Sequence, residues 1–530
     1  MTGVDGPPPA LNPSGSTIEE VIRFTRGNQR FQRMLAVAVG LVEMSDSMEI
    51  TLLSYLTPCL AAEWDLSDAE QGTLAGSVFL GELVGALALG VMSDLYGRKP
   101  AFFLATVLVV VFGLLTAVAP SFVWIVLCRA MVGVGAGGME VPFDLLTEFV
   151  EAHERGWYLL ITQCTWALGS IYMTGVAWLI LGAGYSWRWL ALAAAAPPAL
   201  VFFCFYFVPE SPRWLLANGK RKEAGEVLEK AAYWNGVAVS AGGGAAGAGD
   251  SVVVWGAPTF RLRHYQLSVK EGHIEELVRS RSLRRISLTL WWLWMTYAFV
   301  YYGGVLLIGS LFTDSDSSVC DFLYGRLFLV SFGEILSVAP SLYYVERGGR
   351  RDILAILFLA AGVFFVLLPV DLGYAWLVLF GMLGRGAAFA MANMTWIVTV
   401  ELYPTEIRST GHAVCNALAR VAAVGASYFA DSGASTAAMA WTFLGLCALA
   451  AAGAKTIPVD TRGKALDEGH ETSPEGAPLL TTGMAPDNGH GGYQDGAGTE
   501  DFYAYGTGDA GGGGGFGGAG RPVSSRRRNI

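Results

Sequence analysis

Asp46, Glu49 and Arg129 stand inside stretches otherwise almost free of charge, and the chemistry open to them is reversible protonation and charge recognition. The run Met44-Ser45-Asp46-Ser47-Met48-Glu49 sets two carboxylates three residues apart, on roughly one helical face. Arg129 opens the run Arg129-x-x-x-Gly133-x-Gly135-x-Gly137-Gly138. An arginine in apolar surroundings is costly unless it is paired or hydrated. At about 1.5 Å per residue, Asp46 lies about 18 Å from the start of its apolar run at Met34, and Arg129 about 12 Å from the start of its own at Ser121. Run in opposite directions through a layer about 30 Å thick, those depths coincide. Asp46 is therefore expected to pair with Arg129, with its protonation breaking the pair; a permanent structural ion pair is the competing reading. Glu82, Glu334, Arg385 and Arg420 fall near mid-depth by the same count, and so many buried charges imply a wet cavity. Glu334 and Arg420 are expected to recognise the substrate, with Trp294, Tyr297, Tyr301 and Tyr302 as aromatic walls.

Nothing points to bond-making chemistry. The six histidines fall mostly in predicted loops, and no nucleophile, base and orienting group come together, so the chain is not expected to be an enzyme. The seven cysteines show no CxxC or Cys/His spacing, and neither a metal nor a cofactor is expected. Cys59 and Cys320 both fall near the non-cytoplasmic ends of predicted spans and could pair.

The elements that must position these charges are membrane spans. Of 530 residues, 53% are hydrophobic and 15% charged, and the mean hydropathy is +0.45, too apolar for a water-soluble globule. Apolar windows predict spans over Met34–Leu60, Gly72–Met92, Ala101–Val118, Ser121–Val141, Trp157–Leu181 and Trp187–Val208. A second set follows over Ile286–Leu311, Phe322–Val345, Ile353–Val370, Tyr374–Val400, Gly411–Ala430 and Thr436–Ile457. The predicted fold is an all-α membrane protein with twelve transmembrane helices in two six-helix bundles, 34–208 and 286–457. A cytoplasmic central loop, 209–285, joins them; a disordered cytoplasmic N-terminus, 1–33, and a glycine-rich disordered tail, 458–530, flank them. Arg98, Lys99, Arg155, Arg213, Arg350, Arg351 and Arg408 follow even-numbered spans, whereas Glu63, Asp65, Asp314 and Asp431 follow odd-numbered ones. The positive-inside rule puts both termini and the central loop in the cytoplasm, with Arg188 the exception. The net charge of −10 is spread over loops and tails, and nucleic-acid binding is not expected.

The halves repeat each other. Asp94, Gly97, Arg98 and Lys99 after span two return as Glu346, Gly349, Arg350 and Arg351 after span eight, and Glu148 and Arg155 return as Glu401 and Arg408 at nearly the same offset. Gly90-x-x-x-Asp94-x-x-Gly97-Arg98-Lys99 resembles the signature of the major facilitator superfamily, although Leu95 replaces the usual basic residue. Within that superfamily the chain resembles the synaptic-vesicle-related proteins, which stand beside the organic-ion transporters and sugar porters. The resemblance spans about Arg30 to Leu466 and rests on Met44 to Glu49, Glu63-Trp64, Pro209-Glu210-Ser211-Pro212-Arg213-Trp214, Tyr301-Tyr302-Gly303, Glu401-Leu402-Tyr403-Pro404-Thr405, Ala419-Arg420-Val421 and the closing Pro458-x-Asp460-Thr461-x-Gly463.

The resemblance implies two bundles rocking about a central cavity. Asp94, Gly97, Arg98, Lys99, Glu148, Arg155, Glu210, Arg213, Glu346, Arg350, Glu401 and Arg408 would form a cytoplasmic gate that locks the outward-open state. Glu151, where many sugar porters carry proline, argues against a sugar, and Arg420 resembles a position linked to anionic substrates. The expected function is therefore alternating-access transport of a small organic solute, an organic ion by preference and an anion by this reading, coupled to protons or a cation through Asp46 and Glu49. A transporter-like sensor or vesicle protein that does not transport, and a sugar porter, are the alternatives. Its partners are the lipid bilayer, a small-molecule substrate and coupling ions, and the chain is expected to act as a monomer. Glu475-x-x-x-Leu479-Leu480 has the spacing of an acidic dileucine signal for a sorting adaptor, consistent with plasma, endosomal, vesicular or vacuolar membrane delivery.

Overall fold

The computed structural model describes residues 21–23, 25, 27–151, 154–237, 239–241, 253–255, 274–313, 321–347, 349–403 and 407–457. The tail with Glu475, Leu479 and Leu480, the Pro458 to Gly463 motif, and Cys320 lie outside them. The first half comprises α1 (Arg30–Trp64), α2 (Asp68–Tyr96), α3 (Arg98–Ala117), α4 (Phe122–Gly137), α5 (Glu140–Glu148), α6 (Arg155–Ile180), α7 (Trp187–Ala194) and α8 (Ala196–Cys204). Short turns split span four into α4 and α5 and span six into α7 and α8; the second break precedes Pro197 and Pro198, which lack the amide a continuous helix needs. The second half holds α12 (Arg281–Leu311), α13 (Tyr324–Arg347), α14 (Arg350–Val366), α15 (Tyr374–Leu402), α16 (Arg408–Ala430) and α17 (Thr436–Lys455).

The segment between the halves, expected as a loop over 209–285 with a helix-like stretch near Lys220 to Trp234, carries several short elements. It folds into α9 (Pro212–Ala217), α10 (Arg221–Trp234), α11 (Glu276–Arg279) and two paired three-residue strands, β1 (Val239–Ala241) and β2 (Val253–Trp255). Among the described residues, buried Asn235 ties down the approach to α1. Its Nδ2 donates to Thr25 O at 2.8 Å and Gln32 Oε1 at 3.0 Å, and its Oδ1 accepts from Phe31 N at 2.9 Å. One of the amides that α1 leaves unsatisfied at its start is thus met from 204 residues away in sequence.

The two halves pack by one scheme. In the first, α1 lies on α6, α2 on α4, and α3 on α7 and α8; in the second, α12 lies on α16, α13 on α15, and α14 on α17. Small residues permit the closest crossings. A Cβ added to Gly133 would lie 2.1 Å from Val78 O, and one on Gly81 would lie 2.0 Å from Ala130 O, so α2 and α4 touch backbone to backbone. Gly333 and Met382 repeat this between α13 and α15, at 2.1 Å. The halves meet chiefly through α2 on α16 and α6 on α13.

Candidate functional site

A cavity of about 70 Å³ lies between the halves. It is far smaller than the ~300–1,000 Å³ usual for a ligand pocket, so a substrate requires the halves to move. Asp46 and Glu43 of α1, Gln163 and Trp166 of α6, Tyr297, Tyr301 and Tyr302 of α12, Asn393 and Trp396 of α15, and Arg420 of α16 all face it. Glu43 sits one turn before Asp46 and shares its face, a spacing legible in the sequence but not read there. Trp166, Asn393 and Trp396 carried no charge signal.

The ion pairs differ from expectation. Arg129, only 1% exposed, bonds Glu49 at 2.5 Å rather than Asp46. Residues three apart differ in depth by about 4.5 Å, less than depth counting resolves, and the extra methylene of Glu49 reaches α4. Asp46 turns instead to the cavity, 8% exposed, and its Oδ1 accepts no hydrogen bond among the described residues.

Glu82, Glu334, Arg385 and Trp294 do not line the cavity as expected; they stand one layer behind it. Glu82 on α2 bonds Arg420 Nη1 at 2.5 Å, and Tyr302 OH lies 3.0 Å from the same nitrogen. Glu334 accepts from Arg385 Nε at 2.8 Å, Tyr301 OH at 2.8 Å and Ser170 Oγ at 2.6 Å, while Trp166 Nε1 donates to Tyr301 OH at 2.9 Å. Trp294 donates to Thr399 Oγ1 at 2.8 Å and supports Trp396 from behind, ring centres 5.2 Å apart. These residues are long, so a mid-depth backbone position does not fix which surface the polar head meets.

The contacts that join the halves run from this middle layer toward the end carrying Asp68 and Asp431. Beyond Glu82–Arg420 and Ser170–Glu334 come Thr73 with Tyr428, hydroxyls 3.1 Å apart, Tyr55 against Phe322 at 5.2 Å, and Trp178 against Phe328 at 6.0 Å. That mouth is closed. Asp431, just past α16, is pushed up to about 7 by burial and then by the like charge of Asp68 across the interface. Cys59, at the same end of α1, is disulfide-bonded.

At the opposite, basic end the expected gate residues bond within each half. Arg98 Nη1 meets Asp94 at 2.8 Å, and Arg98 Nε lies 3.7 Å from Glu148, which accepts from Ser211 Oγ. The helix α3 has no side-chain cap of its own. Glu210 supplies one, accepting from Arg98 N at 2.7 Å and Lys99 N at 3.2 Å, where the helix dipole favours an anion. Gly97, at φ 109°, is needed there: a Cβ would stand 2.3 Å from Glu210 Oε2. Arg213 acts on Glu148 through its charge. In the second half Arg350 Nε bonds Glu401 at 3.0 Å, and Arg408 Nε donates to Tyr403 O at 3.3 Å. For Arg155 and Glu346 only the backbone is described, at the start of α6 and the end of α13.

To this architecture of two halves with internally repeated packing is added a match of residues 34–472 to a family profile described as sugar (and other) transporter. The chain belongs to that family. It is an integral, multi-pass membrane protein of the major facilitator type, and the family's members are transporters rather than enzymes. Among its relatives is the synaptic vesicle 2-related protein of Rattus norvegicus, 29% identical, covering 88% of this chain and 85% of that one. Another is organic cation/carnitine transporter 7 of Arabidopsis thaliana, 28% identical over 77% of this chain and 86% of its own. The xylose transporter of E. coli in a partially occluded inward-open conformation superposes with a TM-score of 0.63 at 19% identity, over 82% of this chain and 99% of that one, a likeness of fold.

Proposed function

We propose that the chain is a secondary carrier of a small organic cation, working by alternating access and coupled to protons or a cation through Asp46. The observation that carries this is the Asp46 carboxylate, open on one oxygen and facing an aromatic cavity. Arg420, the basis for expecting an anion, is committed to Glu82. With Arg420 so balanced, Asp46 remains as an acidic group on the lining. The faces of Tyr297, Tyr301, Tyr302, Trp166 and Trp396 attract a cation as well, by about 0.5–2 kcal/mol each where desolvated. The Arabidopsis relative is named for organic cations and carnitine, which supports the reading. With the Asp431 mouth shut, access runs from the basic end, which the positive-inside rule assigns to the cytoplasm.

The test is counterflow by purified full-length protein in proteoliposomes, comparing tetraethylammonium, p-aminohippurate and glucose. Tetraethylammonium should exchange. Exchange of the anion or the sugar alone would refute the cation reading, and binding without exchange would favour the sensor. For coupling, an imposed pH gradient should drive uptake in the native protein but not in Asp46→Asn; an unchanged pH response would remove Asp46 from that role.

A further inference from the structure

Opening the closed mouth must separate α2 from α16, and with them Glu82 from Arg420. The crossing at Glu334 separates more cheaply. There Glu334 and Arg385 both belong to the second half and stay paired at 2.8 Å, so only the neutral donors Ser170 and Trp166 depart. Parting Glu82 from Arg420 instead leaves a carboxylate on one wall and a guanidinium on the other, each in a site that was buried. Glu49 does not compensate, being held by Arg129. The first-half wall of the opened cavity thus presents Glu82 and Asp46, whose charges already converge on Tyr302 together with that of Arg420.

We propose that Arg420 is a tethered competitor for the transported cation. With the mouth open, Glu82 and Asp46 together hold the cation. As the mouth closes, Arg420 returns to Glu82, and its charge, which also reaches Asp46, repels the cargo toward the basic end. Because it is carried on the same chain, Arg420 competes at a fixed high effective concentration whatever the cargo level. Release is thereby tied to closure without any new bond. This inference rests on the cation reading above and adds to it the residue that expels the cargo.

Binding of radiolabelled tetraethylammonium to the purified full-length protein, with efflux from proteoliposomes, tests it. Arg420→Gln should bind about tenfold more tightly, a usual size for coupling between sites, and release correspondingly more slowly. Arg420→Lys, which keeps a tethered cation, should restore release. Glu82→Gln should move the other way and weaken binding about tenfold, since it removes a carboxylate and leaves Arg420 to Asp46. A purely structural pair would make both neutral variants alike. Unchanged or weaker binding by Arg420→Gln overturns the proposal; if that variant does not fold, unchanged affinity in Glu82→Gln overturns it. Failure of the native protein to bind tetraethylammonium defeats the cation reading itself, a result separate from either.

Discussion

Gly137→Ala offers the sharpest test of the packing that carries the site. A Cβ there would lie 2.1 Å from the carbonyl oxygen of Glu82, whereas carbon and carbonyl oxygen settle at about 3.3 Å or more. The helix α2 must therefore retreat by about 1.2 Å. The opposite face of α2 is already closed by α16, where a Cβ on Gly72 would lie 2.8 Å from the Tyr428 ring, so the displacement has no free space to enter and disturbs the Glu82–Arg420 contact. Overpacking of this kind costs about 1–3 kcal/mol, which is the expected loss. Thermal unfolding of the purified protein measures the stability, and tetraethylammonium counterflow measures the function. Gly90→Ala is the control: it lies on the same α2, and an added Cβ meets nothing within 4 Å. If the two variants melt together and exchange at the same rate, the backbone contact is not what sets the position of Glu82.

Glu49→Gln should cost about 3–5 kcal/mol by leaving Arg129 buried without its counter-charge, and adding Arg129→Met should recover most of it; equal losses in the single and double variants would refute this. Asn235→Ala should cost about 1–3 kcal/mol by leaving buried partners unsatisfied, and amide exchange should quicken over residues 25–32. If protection there is unchanged, Asn235 is not the clamp. Asp431 is pushed up from 3.8 to about 7 where the mouth is closed. Its proton is therefore held more tightly in the closed form than in an opened, hydrated one, so closure is favoured fully below about pH 4 and that contribution is lost as pH rises through about 7. A thiol probe introduced at Thr73 should become more accessible between pH 5 and 8, and Asp431→Asn should flatten the curve; a response of opposite sign would reject this.

The sequence by itself determined the twelve spans, the internal repeat and the membrane setting, because each follows from local composition and from period. A run of about 20 apolar residues must be helical in lipid whatever packs beside it. It also marked Arg129 as an arginine in need of a carboxylate. Which carboxylate was a tertiary decision. Asp46 and Glu49 differ by one helical turn and a methylene, and only the seating of α1 against α4 gave Glu49 to the arginine and left Asp46 to the cavity. The same holds for Glu82, Glu334 and Arg385, whose long side chains reached backward from the cavity to partners on other helices. Depth along a helix is a one-dimensional quantity that residue counting supplies; azimuth and the identity of the neighbouring helix exist only once the two halves have packed together.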